Sequence, residues 1–149
     1  MIQRLLLAVW LSAAACVATP PSPRPAGVGV VQVRLTGFAD RGGQVLVSVF
    51  VDAAGFPDDQ RRAARSVRLP VDGDSLVVTF PDVPAGELAV AAFHDVDADF
   101  QLDTNALGIP TERWGVSRGG RGLFGPPTFA DSRLQLAGGA ELAIDIELR

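Results

Sequence analysis

The strongest constraint on the fold is an apolar period of two that recurs between turn signals. In Val31-Gln32-Val33-Arg34-Leu35-Thr36 apolar and polar residues alternate, and over residues 141–148 Leu142, Ile144, Ile146 and Leu148 fall on one face. Successive strand residues point to opposite sides, so this alternation describes half-buried strands. Residues 44–51 are β-branched and apolar on both faces, which predicts a central strand. Further strands are expected at 67–69, 75–80, 87–93 and 133–136. Arg41-Gly42-Gly43 reads as a hairpin turn, and Asp72-Gly73-Asp74, Asp82-Val83-Pro84-Ala85-Gly86 and Gly138-Gly139 mark further reversals. Residues 56–65 read as one short helix, with Pro57 in its first turn, acids next and arginines last. Phe56 would anchor its start in the core. Roughly seven strands without βαβ alternation or a glycine-rich phosphate loop predict an all-β, two-sheet β-sandwich.

One segment breaks this pattern. Between Phe93 and Arg133 no convincing strand is visible, and loops of that length are uncommon in compact domains unless they carry function. Phe100, Leu102, Ile109, Trp114, Leu123 and Phe129 give the segment enough apolar surface to pack as one long ordered loop. It opens with His94-Asp95-Val96-Asp97-Ala98-Asp99-Phe100-Gln101-Leu102-Asp103, four aspartates at i, i+2, i+4 and i+8. Unit charges about 5 Å apart repel by roughly 1–3 kcal/mol at dielectrics between bulk water and a protein surface. A hard cation, arginines or solvent must offset that repulsion.

Calcium takes oxygen ligands at alternate positions of a tight loop. With Asp95 as the first position, Asp97, Asp99, Gln101 (through its carbonyl) and Asp103 follow at three, five, seven and nine. The standard loop then fails twice: Phe100 stands where glycine makes the turn, and Ala106 where a bidentate glutamate belongs. Asn105 or Glu112 would have to close the site in another geometry. The competing reading is a solvated acidic loop, or one paired with Arg113, Arg118 and Arg121, and surface pairs of that kind contribute little.

His94 is the sole histidine and lies on the strand face opposite Phe93, which suits a hydrogen-bonded residue that orders the loop. A zinc site would need further histidine or cysteine. Ser117 has no nucleophile-elbow pattern around it. Trp114 and Phe124 are aromatics that either stack on a ligand or pin the loop to the core.

The chain has 149 residues, which suits one domain. Its net charge is −4, with no lysine, so no basic patch exists to neutralise phosphates and a nucleic-acid role is excluded. Residues 1–18 read as an export signal: Arg4, the apolar run Leu5-Leu6-Leu7-Ala8-Val9-Trp10-Leu11, then Ser12-Ala13-Ala14-Ala15. The apolar run is too short for a comfortable membrane span. Cys16 is the only cysteine, and two readings stay open: an acylated lipoprotein N-terminus, or ordinary cleavage nearby. A lipid on Cys16 would be the only membrane attachment expected. Residues 19–29 read as a proline-rich linker and 30–149 as the sandwich domain, a monomer without disulfides.

Several motifs together are specific. Phe80-x-Asp82-Val83-Pro84-x-Gly86, Ala89-Val90, His94-Asp95, Asp103-x-Asn105-x-x-Gly108-x-Pro110-x-Glu112-x-Trp114-Gly115-x-Ser117 and Gly125-Pro126-Pro127-x-Phe129-x-x-Ser132 resemble the domain of unknown function 2141 family. The resemblance implies an exported bacterial protein with a sandwich similar to transthyretin-like or carboxypeptidase-regulatory-like modules, and it implies no reaction. The family's usual loop looks like His-Asp-x-Asn-x-Asn-Gly; here Asp97, Asp99 and Phe100 replace its last three named positions, adding charge and removing the glycine.

The expected function is therefore a periplasmic or secreted binding or structural module, with Ca2+ as the one candidate cofactor and no partner indicated. A metal-assisted hydrolase working in the 94–131 loop, with Asp95 and Glu112 as an acid/base pair, is the enzymatic alternative. A metal-free small-ligand module, using Trp114 and the glycine-rich 119–125 stretch as a lid, is the third.

Overall fold

The computed structural model describes residues 27–120 and 125–149. The expected export signal, Cys16, the linker up to residue 26, and Arg121, Leu123 and Phe124 lie outside the described residues.

Among the described residues eight strands form two sheets: β1 (Val28–Thr36), β2 (Gln44–Phe50), β3 (Arg65–Pro70), β4 (Ser75–Pro84), β5 (Gly86–Asp95), β6 (Trp114–Val116), β7 (Leu134–Leu136) and β8 (Glu141–Glu147). The first sheet has the order β4-β1-β8, with β1 antiparallel to β4 and parallel to β8. The second runs β3-β2-β5-β6, all antiparallel, with β7 paired to the start of β5. The period-two residues of both sheets meet between them. Val31, Val33 and Leu35 of β1 face Val45, Val47 and Val49 of β2, all fully buried. Each such side chain removed from water stabilises the fold by about 1.5–3 kcal/mol before entropy is counted.

β2 is apolar on both faces because its outer face is buried too. Register places Leu46 beside Phe93 and Phe93 beside Trp114, so these three form one row across β2, β5 and β6. Ser48, Ala91 and Val116 form the next row. A second, smaller cluster around Phe50, Ala91 and Val116 packs over this face with Phe56, Trp114 and Phe129. Phe56 sits edge-on to Phe50 and Phe129, with ring centroids 5.4 and 5.9 Å away, and so anchors its segment as expected.

Four expectations are corrected. The helix over 56–65 is a single 3-10 turn, Gln60–Arg62, capped by the Asp59 carboxylate. Ala64 N–H donates to Val49 O (2.8 Å) and Arg65 already pairs with β2, so strand pairing claims the residues a longer helix would need. Arg41-Gly42-Gly43 is not a hairpin: β1 and β2 lie in opposite sheets, and the turn carries the chain between them. Val28 and Gly29, expected in the linker, pair with Pro84 and Val83. The long loop holds a strand after all, β6, and a short α-helix, α1 (Phe129–Ser132), whose N-terminus is capped by Thr128.

β6 also closes a seam between the sheets. Trp114 and Arg149 exchange two backbone hydrogen bonds, at 3.0 and 3.2 Å. Gly115 permits the approach, since a Cβ there would meet Ile146 Cγ2 at 2.8 Å. Ser117, fully buried, accepts from Val90 N–H and donates to Ser132 O, so it ties β5 to α1.

Candidate metal centre

β5 ends inside the protein with two polar residues, and their neighbours differ. His94 is fully buried; Nδ1 accepts from Ala39 N–H (3.2 Å) and Nε2 donates to Gly42 O (2.7 Å). Phe38 packs edge-on against the ring. Both nitrogens are satisfied, so His94 locks the sheet-crossing turn and has no lone pair for a metal. The expected hydrogen bonds are present, but they go to the β1–β2 connection and not to the acidic loop.

Asp95 is 1% exposed. Its Oδ2 accepts from Gln44 Nε2 (2.7 Å) and from Phe100 N–H (3.1 Å), whereas its buried Oδ1 has no hydrogen-bond partner. A buried acceptor left alone costs about 1–3 kcal/mol. Gly43 lets this corner form: φ is +63°, and a Cβ would run into Asp95 O and the Val96 backbone.

Beyond Asp95 the chain turns sharply by two left-handed residues, Ala98 (φ +62°) and Phe100 (φ +70°). Phe100 thus adopts the backbone that glycine supplies in a standard calcium loop. Asp97 Oδ1 accepts from Asp99 N–H (3.3 Å) and Asp99 Oδ1 from Gln101 N–H (2.8 Å), so each carboxylate folds the loop back on itself. Asp103 to Thr111 form a small hairpin, with a Thr104–Pro110 bridge and a tip held by Asn105 Oδ1, which accepts from Leu107 and Ile109 N–H. The hairpin returns Glu112 to the loop mouth, where Oε1 accepts from Val96 N–H (2.8 Å) and Oε2 from Asp103 N–H (3.1 Å).

Carboxylate oxygens therefore converge in two overlapping trios: Asp95, Asp97 and Asp99, and Asp97, Asp103 and Glu112, each within 4.8 Å. Asp97 belongs to both. A hard cation with six to eight oxygen ligands fits such a set of donors. Partial desolvation, then the charges of Asp97, Asp99 and Asp95, push the Asp103 carboxyl above its usual range. Among the described residues no arginine forms an ion pair with these aspartates. Arg113 instead donates to Gly37 O.

Of the residues expected to act here, Asp95, Asp97, Asp99, Asp103 and Glu112 are brought together. Asn105 caps its own hairpin. Gln101 and Trp114 line an adjacent cleft of about 730 Å³. Sequence reading missed Gln44, whose place opposite Asp95 follows from the β2–β5 register. It also missed Arg68, whose guanidinium lies 4.6 Å from the Phe100 ring centroid. Both are set by strand pairing and carry no local signal.

Fold and site together define a β-sandwich protein with a third layer folded around a carboxylate cluster. The chain belongs to the family described as uncharacterized protein conserved in bacteria (DUF2141), whose model matches residues 33–144, in agreement with the motif resemblance. No curated protein and no solved structure matches it.

Proposed function

We propose that this chain is an exported cell-envelope binding module whose acidic loop holds calcium. The observation that carries the reading is Asp95: a buried carboxylate with one unpartnered oxygen, at the head of a cluster that gathers Asp97, Asp99, Asp103 and Glu112. A divalent cation would satisfy that oxygen and cancel the repulsion felt at Asp103. The left-handed Phe100 removes one of the two sequence objections to a calcium loop, and Glu112 supplies from the hairpin the carboxylate that Ala106 lacks. Export rests on the sequence of residues 1–18.

Hydrolysis at the same cluster has weaker support. Both Glu112 oxygens already accept N–H donors, and the one unpartnered Asp95 oxygen, Oδ1, is buried and is the atom the cation would take, which leaves neither residue well placed as a base for bound water.

Thermal melts of the full chain in calcium and in chelator test the reading. At a free concentration ten times Kd, calcium stabilises the folded state by about 1.4 kcal/mol. An unchanged melting temperature at millimolar calcium contradicts it.

A further inference from the structure

The acidic loop has a second side. Phe100, Gln101 and Leu102 continue from the cluster to form one wall of the cleft of about 730 Å³. Its floor is the outer face of the second sheet, with Leu46, Phe93 and Trp114 in one row. The volume lies in the range of small-molecule sites, which are mostly apolar with a few polar groups. Ser48, Gln60 and Thr104 supply such groups, and Asp58 is the one charged residue lining it among the described residues. A single ionisable side chain, itself pushed toward the neutral form by desolvation, disfavours strongly charged ligands.

Cluster and cleft meet at Phe100 and Gln101, and the link to the buried carboxylate runs through Phe100. Phe100 N–H donates to Asp95 Oδ2, its side chain lines the cleft, and Arg68 lies across its ring. Phe100 is 52% exposed, so packing alone does not fix it; its backbone is held through Asp95.

Building on the calcium reading, we propose that the cleft binds a small uncharged ligand with an aromatic or other flat apolar ring, and that calcium in the acidic loop strengthens this binding through Phe100. Without the cation, mutual repulsion spreads the loop and loosens the Phe100–Leu102 wall. With it, the wall is already ordered when the ligand arrives, so less ordering free energy is spent at binding. The coupling is reciprocal: the ligand raises calcium affinity by the same factor.

The neutral probe N-phenyl-1-naphthylamine tests this on the full chain carrying Trp10→Phe, which leaves Trp114 as the sole tryptophan donor for energy transfer to bound probe. Transfer from Trp114 is expected, with probe affinity about fivefold or more higher in calcium than in chelator. Phe100→Ala, which keeps the backbone N–H and every carboxylate, is expected to retain calorimetric calcium binding and lose the calcium dependence of probe binding. In the chain with Phe100 intact, calcium heat with probe affinity equal in calcium and chelator, or with no probe binding, overturns this proposal and leaves the calcium site standing. Absence of calcium heat in the unsubstituted chain overturns the calcium reading itself, and the coupling with it.

Discussion

The space between the two sheets and the layer outside the second sheet share β2 and β5 but are organised by different forces. Between the sheets, Val45, Val47, Val49 and Val90 meet the β1 and β8 side chains in a continuous apolar core. Outside, a small aromatic cluster covers only part of the sheet, and the acidic loop is held by few polar groups: Asp95, Glu112 and Asn105 each accept two N–H donors. The inner region is redundant, so no single contact decides it. The outer one hangs on particular carboxylates, which also repel one another. His94 and Asp95, adjacent on β5, mark the boundary: the first is satisfied within the protein and the second is left one partner short.

The largest effect should come from the inner region. Leu35→Ala is expected to cost about 3 kcal/mol in urea denaturation, by the same amount in calcium and in chelator. A loss that calcium reverses would show that the two regions are not separable.

Asp95→Ala comes next. It leaves Gln44 Nε2 and Phe100 N–H without their acceptor, at about 1–3 kcal/mol in chelator. It should also abolish stabilisation by calcium, whereas His94→Ala should destabilise while preserving the calcium increment. Equal calcium responses in the two variants would erase the boundary drawn between these neighbours.

A smaller effect of opposite sign is expected at Ala98, exposed and left-handed. Ala98→Gly should stabilise the protein by about 0.5–1 kcal/mol, since glycine adopts this backbone without strain.

The smallest effect belongs to exposed Asp103. Its carboxyl is raised in the folded state, so the charged form is disfavoured there relative to the unfolded chain. That contribution favours folding below the carboxylate range and is lost as pH rises through it. Asp103→Asn should therefore stabilise the calcium-free protein at neutral pH, with the difference closing as pH falls through the carboxylate range, while calcium binding weakens. Chelator melts as a function of pH check both signs.

The sandwich was legible because its signal is local. Alternation at Ile144 and Ile146, or two apolar faces at Val47 and Leu46, follows from a period that pairing does not alter. What failed depended on partners distant in sequence. β6 is three residues long and exists because Gly115 fits against Ile146, 31 positions away by residue number. The 56–65 helix pattern was overridden by pairing of Arg65 with β2. At the site, Asp95, Asp97, Asp99 and Asp103 were legible from spacing. The return of Glu112 depended on a hairpin whose only sequence trace was Asn105-x-x-Gly108, and the left-handed backbone of Phe100 contradicts its residue type.

Asp97 shares both carboxylate trios, so calorimetric titration of the full chain with calcium, beside Asp97→Asn, tests the central claim most directly. Saturable one-site heat is expected for the unsubstituted chain, with a loss of at least about tenfold in affinity for the variant, or about 1.4 kcal/mol. No saturable heat, or the same isotherm from both chains, would contradict the claim.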